Sequence, residues 1–361
     1  MSVLFEINSS IKSYQVEILS GSLHQGLTRP DQSFVLIDEY LVELYPFIST
    51  ENDIEIPANE ESKTLDTVGS VIENLRTLGA SRDGHLVAIG GGVIQDVATF
   101  SASTYMRGIP WTYYPTTLLG MVDSCVGGKS SINVGQYKNI AGNFYPPEKI
   151  IIHTDFCNTL PVSEVIAGLC EAVKICFADT DSAFDQYLTL AEALNPNHQD
   201  ILAEIIELTL RTKKKFIEDD EFDQGVRLLL NFGHTFGHAI EAASHFAITH
   251  GVAVGVGMLV AIDISEKLNP QTNKTPRVQA LSSYVRKLLN GVTNLPEHIA
   301  ELSSENAFYK FKSDKKHRQH EYAIIIPDAK GYLYRKFIPI NDDSDNLVKN
   351  SFESVKALYE V

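Results

Sequence analysis

Cysteine is scarce in this chain, and basic residues are outnumbered. The four cysteines, Cys125, Cys157, Cys170 and Cys176, form no Cys-x-x-Cys pair. Nothing resembles a disulfide framework, so reduced thiols are expected. Lys and Arg number 30 against 46 Asp and Glu, a formal net charge of −16. That balance argues against nucleic acid or an anionic membrane as the main partner. It leaves room for a small anionic ligand in a local basic pocket. The N-terminus, Met-Ser-Val-Leu-Phe-Glu-Ile, has no basic segment followed by an apolar one, so no signal peptide is expected. No apolar run reaches membrane-spanning length. Internal repeats and low-complexity tracts are also missing. The expectation is a soluble cytoplasmic protein.

What is present is an alternation of strand and helix, then helix after helix. The 361 residues predict two domains, and 44% apolar content is ordinary for a packed core. Residues 34–38 (Phe-Val-Leu-Ile-Asp) read as a buried parallel strand, followed by strands at 54–56, 85–89, 111–114 and 149–153. Helices are predicted between them. Residues 64–78 carry Leu65, Val68, Val71, Ile72 and Leu75 on one side, and 93–106 follow a run of three glycines. This pattern predicts a parallel α/β layer over residues 1–160, with a boundary near Leu160-Pro161. Residues 161–361 then read as helices at 163–177, 182–194, 201–217, 228–244, 252–267 and 277–289. A polar loop is predicted at 269–275, and a small hairpin at 322–326 and 332–337 around Pro-Asp-Ala-Lys-Gly.

The stretch 228–258 is the centre of the chain's chemistry. His234 and His238 are four apart in an apolar helical run, so they share a face, and His250 opens the next apolar run. Three such imidazoles fit a zinc-like ion. They equally fit three hydrogen-bonded histidines, and the stretch alone leaves both readings open. Gly90-Gly91-Gly92, between a strand and a helix, reads as a phosphate cradle, because glycine lets backbone approach and helix N-termini favour anions; the alternative is a tight strand-to-helix turn, which would rarely need three glycines. It is not the Gly-x-Gly-x-x-Gly fingerprint, so it specifies no dinucleotide by itself. From Pro115-Thr116-Thr117 through Asp123 and Gly127-Gly128-Lys129 to Lys138-Asn139, hydroxyls, an acid and lysines crowd a segment that otherwise looks buried. Those lysines are either solvated or used on an anion. Glu171 and Lys174 share a helix face among apolar residues, as a surface pair or as a buried carboxylate that needs a partner. Lys213, Arg227 and Asn231 complete the set, and Arg227 is expected on the same helix as His234.

Together these segments resemble the dehydroquinate synthase family of sugar-phosphate cyclases. The matching residues are Gly90-Gly91-Gly92-Val93-Ile94-x-Asp96, Tyr105-Met106-Arg107-Gly108, Pro115-Thr116-Thr117-Leu118-Leu119 and Asp123-Ser124-x-Val126-Gly127-Gly128-Lys129. They continue with Lys138-Asn139, Phe144-Tyr145-x-Pro147, Gly168-Leu169-x-Glu171-x-x-Lys174 and Arg227-x-x-Leu230-Asn231-Phe232-Gly233-His234-Thr235-Phe236-Gly237-His238. His250-Gly251 and Asp314-Lys315-Lys316 close the series. The resemblance implies an α/β N-terminal nucleotide-binding domain, residues 1–160, and an all-α C-terminal metal-binding domain, residues 161–361, with the site in the cleft. It implies Glu171, His234 and His250 as ligands of Zn2+ or Co2+. NAD would lie on Glu60, Lys63, Gly91, Gly92, Asp96, Thr116, Thr117, Lys138 and Thr159. The catalytic and substrate-binding residues would be Asp123, Lys129, Asn139, Lys174, Lys213, Arg227, Asn231 and one of Lys315 and Lys316. His238 would face the substrate phosphate. Arg107 would reach the phosphate of a neighbouring subunit, which implies a homodimer.

The implied reaction is phosphate elimination and intramolecular aldol closure of a seven-carbon keto-acid phosphate to 3-dehydroquinate. Lys213 and Arg227 favour it, because a substrate carboxylate calls for cations. The alternative is a relative acting on sedoheptulose 7-phosphate or another specialised sugar phosphate. Metal-dependent polyol dehydrogenases share the expected architecture but would release NADH. Against the family pattern, Asn59 and Gln95 replace glycines, Met121 a glutamine, Cys125 a serine, Ser163 an arginine and Val252 a glutamate. Val252 follows a presumed metal ligand by two residues, so the surroundings of the ion are expected to differ.

Overall fold

The computed structural model describes residues 2–135, 137–180, 182–194, 199–272 and 275–359. Chain contacts divide it into two units. The first holds Met1–Leu160 and Thr189–Glu221, and the second Pro161–Leu188 and Phe222–Val361.

Branched aliphatic runs build the sheet of the first unit. Its strands are Ser2–Ile7 (β1), Tyr14–Leu19 (β2), Ser33–Asp38 (β3), Ile54–Ile56 (β4), His85–Gly90 (β5), Trp111–Pro115 (β6), Ile132–Val134 (β7), Tyr137–Ala141 (β8) and Lys149–His153 (β9). Seven pair in the order β1-β2-β9-β6-β5-β3-β4, while β7 and β8 make a separate antiparallel pair. Only β1 runs antiparallel in the large sheet. Leu86, Val87, Ala88 and Ile89 of β5 are fully buried, as expected for a parallel strand covered on both faces. The 149–153 strand comes late in the chain but sits inside the sheet, because β1 and β2 extend the sheet beyond it. The half-polar alternation of β1 and β2 gave no comparable apolar run.

Helices Glu39–Leu44 (α1), Leu65–Thr77 (α2) and Gly92–Thr104 (α3) accompany these strands. Thr64 caps α2 by accepting a hydrogen bond from the Thr67 N–H. The helix expected over 93–106 stops at Thr104. Met106 and Arg107 take φ of 48° and 71° before Gly108 at 118°. The Tyr105 hydroxyl holds this turn by donating to the Ala80 carbonyl at 2.8 Å.

The remaining helices are Val162–Ala178 (α4), Ala183–Ala193 (α5), Gln199–Asp219 (α6), His234–Ala243 (α7), His250–Leu268 (α8), Pro276–Leu289 (α9), Leu295–Glu301 (α10), Ser304–Lys312 (α11) and Asp342–Lys356 (α12). A single boundary at 160/161 does not describe this chain, because α6 groups with the first unit. Its apolar face buries Ile205, Ile206 and Leu210, and the Arg211 guanidinium lies 4.6 Å over the Phe5 ring of β1. The predicted hairpin is present as Glu321–Pro327 (β10) and Leu333–Pro339 (β11), so the second unit is helical with one β-ribbon. Of the loop predicted at 269–275, Asn273 and Lys274 lie outside the described residues. No helix among the described residues is long and apolar enough to cross a membrane.

The helix expected over 228–244 is two elements. Val226–Asn231 is a 3-10 segment, Phe232 is extended at ψ 129°, and Gly233 is left-handed at φ 78° before α7 begins. Arg227 and Asn231 are therefore not on the helix of His234. The cause is close packing of α7 on α8. A Cβ at Gly233 would lie 2.7 Å from the Val254 carbonyl oxygen, and one at Gly257 2.2 Å from the Gly233 oxygen. Gly251 meets α4 as tightly, at 2.4 Å from the Ala167 oxygen. Gly233→Ala adds both left-handed strain and a clash, so stability is expected to fall by about 2–4 kcal/mol. Urea unfolding measures it, and an unchanged midpoint would contradict the packing argument.

Candidate active site

The site in the second unit starts from α4. Glu171 and Lys174 are 0% and 1% exposed, which rules out the surface-pair reading. The Lys174 ammonium donates to Glu171 Oε2. Among the described residues, Glu171 Oε1 has no hydrogen-bond partner although it is fully buried. It lies 3.5 Å from His234 Nε2 and 3.6 Å from His250 Nε2. A buried carboxylate oxygen left without a donor is costly. A cation held between that oxygen and the two imidazoles removes the cost.

Backbone geometry brings the imidazoles there. The Gly233 turn makes His234 the first residue of α7, and His250 is the first residue of α8. His238 follows His234 by one turn. Ring centroids are 5.3 Å apart for His234–His250 and 5.4 Å apart for each of the other two pairs. The nitrogen donors of the three rings lie within 4.8 Å of one another. Four donors thus converge where three were expected. The orphaned oxygen contacts His234 and His250, which favours Glu171, His234 and His250 as the ligand set. His238 is the exposed corner. Oxygen and imidazole donors with open positions suit a zinc-like ion.

Charge follows this geometry. Burial holds His234 well below the ordinary imidazole range, and the Lys174 cation adds to it, so His234 stands neutral and ready to ligate. Burial alone would lower His250 as well, but the Glu241 hydrogen bond and the charges of Glu171 and Glu241 outweigh it and raise His250. Although the residue reaches solvent, the His238 ring packs against His234 and His250, and the hydration lost there, with the Lys316 charge, pushes it down.

Lys316 is half-buried and lies 3.5 Å from Asp314, whereas Lys315 is exposed. Of the two candidate lysines, Lys316 is therefore the placed one. Sequence reasoning missed His317, which fixes this turn. Its Nε2 faces the Phe311 carbonyl at 2.8 Å, and its Nδ1 accepts from the Ala323 N–H at 3.1 Å. Arg227 is buried in the 3-10 segment, and Asn231 donates to the Leu228 carbonyl at 3.1 Å.

The first unit assembles most of the expected nucleotide set. Gly90 admits no side chain, since a Cβ would lie 2.3 Å from Ile94. At Gly91 a Cβ would meet Thr117 at 3.1 Å, and at Gly92 the space is open. The first turn of α3 has no side-chain cap, so its N–H groups are available to an anion. Thr116 donates its N–H to the Gly90 carbonyl at 3.1 Å, and Thr117 Oγ1 accepts from the Gly120 N–H at 3.1 Å. Lys63 pairs with Asp96 at 2.8 Å, and Asp96 also accepts from the Ser131 N–H at 2.9 Å. Asn133, absent from the expected set, ties the rest together. Its side chain donates to Glu60 at 2.8 Å and accepts from the Asn139 N–H at 2.9 Å. The β7–β8 ribbon thereby carries Lys138 to 3.8 Å from Glu60. Thr159 bonds instead to the Tyr45 hydroxyl at 2.8 Å. Among the described residues, no hydrogen bond or ion pair joins Arg107 to the set.

Lys213 on α6 pairs with Asp123 at 2.7 Å and donates to the Val126 carbonyl at 3.5 Å. Lys129 is exposed and bridges to Phe144. Gln95 has a structural reason to be there. Its Nε2 donates to the Ser124 carbonyl at 2.7 Å, and the Ser124 hydroxyl donates back to its Oε1 at 2.7 Å. This clasp ties α3 to the short π-helical segment Gly120–Ser124 that bears Asp123. Burial pushes the Cys125 and Cys157 thiols up to about 12, so neither is a nucleophile at neutral pH.

Two family models match the chain: 3-dehydroquinate synthase N-terminal over residues 53–167 and 3-dehydroquinate synthase C-terminal over residues 168–317. The 3-dehydroquinate synthase of Natranaerobius thermophilus is 38% identical over 300 residues, 81% of this chain and 78% of that protein. A crystal structure of 2-deoxy-scyllo-inosose synthase complexed with carbaglucose-6-phosphate, NAD+ and Co2+ is 25% identical. It covers 98% of this chain and 99% of its own, with a TM-score of 0.80. The 2-epi-5-epi-valiolone synthase of Streptomyces hygroscopicus, with NAD+ and Zn2+ bound, shares the fold at a TM-score of 0.76. It is 21% identical and covers 97% of this chain and 99% of its own.

The charge arrangement sets a pH dependence. A metal held by Glu171, His234 and His250 would have to displace a proton from His250 but not from His234. Co2+ affinity is therefore expected to weaken as pH falls, starting above the ordinary imidazole range near 6.5 because His250 is raised. Titrations between about pH 8 and 6 span that range. Affinity independent of pH there would contradict the assignment of His250.

Proposed function

The chain belongs to the 3-dehydroquinate synthase family, and from that premise we propose that it is an NAD- and metal-dependent sugar-phosphate cyclase forming 3-dehydroquinate. The overall change is loss of phosphate from a seven-carbon keto-acid phosphate and closure of a carbocycle, a phosphate-eliminating lyase reaction. One observation carries the reading: Glu171 Oε1 is buried without a donor among the described residues and faces two imidazoles.

When bound, the metal would polarise a substrate hydroxyl and the nicotinamide would take up and return a hydride. Glu171, His234 and His250 would hold the metal. Glu60, Lys63, Gly91, Gly92, Asp96, Thr116, Thr117 and Lys138 would hold NAD, with Thr159 at the edge of that set. Lys174 pairs with the second oxygen of Glu171, which leaves Oε1 as the oxygen facing the imidazoles. His238 and Lys316 supply donors for the leaving phosphate. Lys213 and Arg227 are the cations for the substrate carboxylate. Asp123, Lys129, Asn139 and Asn231 orient hydroxyl groups. Much of the rate would come from positioning, with the substrate's own phosphate as base. The enzyme would be a cytoplasmic homodimer, with Arg107 serving a neighbouring subunit's phosphate. A second reading, cyclisation of a heptulose 7-phosphate, draws on the fold shared with other sugar-phosphate cyclases.

The test is an end-point assay with NAD+ and Zn2+ or Co2+, offering the keto-acid phosphate or a heptulose 7-phosphate. Phosphate release and the carbocycle are read by colorimetry and NMR. The proposal expects turnover of the keto-acid phosphate with no net NADH. Release from the heptulose phosphate alone would establish the second reading, and stoichiometric NADH would mark a dehydrogenase.

A further inference from the structure

Glu241 lies in the last turn of α7, seven residues after His234 and three after His238. None of the functional assignments above uses it. Its Oε2 is 3.1 Å from His250 Nδ1. The opposite nitrogen of that ring, Nε2, is the one facing the orphaned Glu171 oxygen. One imidazole thus has a carboxylate on each side, and the two carboxylates come from different helices.

The chain between α7 and α8 is built to hold this arrangement. His245 and Phe246 both take left-handed φ, 52° and 65°, without being glycine. Such residues cost free energy and persist where the surroundings demand them. Here the turn returns directly onto Glu241. The Phe246 N–H donates to the Glu241 backbone carbonyl at 2.9 Å, and the Ser244 hydroxyl donates to the same oxygen at 3.1 Å. The Ile248 N–H donates to that hydroxyl at 3.3 Å, so the turn closes on itself just before His250. Val252, two residues past His250, is buried and apolar and offers the ring no polar partner.

We propose that Glu241 is the positioning residue of the metal site. It accepts a hydrogen bond from His250 Nδ1–H, fixes that tautomer, and aims the Nε2 lone pair at the point where Glu171 and His234 converge. A carboxylate behind a ligating imidazole also makes the ring a stronger donor. The inference rests on the metal-dependent reading of the protein.

The test is Co2+ titration of chelator-stripped protein, followed by its visible absorption, with no substrate present. Wild type is compared with Glu241→Gln and Glu241→Ala, and circular dichroism checks that each is folded. Removing the carboxylate is expected to weaken Co2+ binding by about 10–100-fold and to shift the absorption bands, as the ring loses its fixed orientation. The Gln variant should fall between the other two, because its amide oxygen still accepts from Nδ1–H. Unchanged affinity and spectrum in folded Glu241→Ala would overturn the role of Glu241 while leaving the metal site intact. Failure of wild type itself to bind Co2+ would overturn the metal-dependent reading and this inference with it.

Discussion

A carboxylate taken wholly out of water must have both oxygens compensated. Glu171 has one compensated by Lys174 and the other by nothing among the described residues. The second unit is arranged around that imbalance. Helix α4 supplies the acid and the lysine, α7 supplies His234 and His238, and α8 supplies His250. Glycines at 233, 251 and 257 let the three helices approach backbone to backbone, which sets the imidazoles on the acid. Larger residues would separate the helices and scatter the donors. Packing and chemistry therefore depend on the same small residues.

In the first unit the organising constraint is access to backbone. The strand-to-helix turn of Gly90, Gly91 and Gly92 leaves uncapped N–H groups and open space at Gly92. Its surroundings are stiffened by polar contacts rather than by apolar packing alone. Lys63 and Ser131 hold Asp96, Asn133 joins the Glu60 segment to the β7–β8 ribbon, and Gln95 clasps Ser124. The neutral Gln95–Ser124 tie is individually modest, about 0.5–1.5 kcal/mol net, and a hydrogen bond to a charged group such as Asp96 is worth about 1.5–3 kcal/mol. Together they hold the candidate nucleotide and substrate residues of this unit in fixed relation.

Much of this was legible in the sequence. Short continuous apolar runs located the central strands, and period-3.6 patterns located most of the long helices within a residue or two. The glycine run and the histidine spacing pointed to the two candidate sites. What stayed hidden depended on tertiary contacts. The break at Phe232-Gly233 exists because α8 approaches there, and no local propensity announces it inside Leu-Leu-Leu-Asn-Phe-Gly-His. The placement of α6 in the first unit follows from contacts with β1 and with Asp123, far away in sequence. Asn133, His317 and Glu241 are single polar residues in ordinary surroundings, so their roles emerge only once their partners are in place. The His-Ala-Ile-Glu run did offer a signal for Glu241, an acid on the same helix as two candidate ligands.

Which donors hold the ion is settled most directly by anomalous diffraction from crystals soaked in Zn2+ or Co2+ without substrate. The account predicts one strong site bound by Glu171 Oε1, His234 Nε2 and His250 Nε2, with His238 outside the coordination sphere. An ion bound by His234, His238 and His250, with Glu171 left on Lys174 alone, would contradict it.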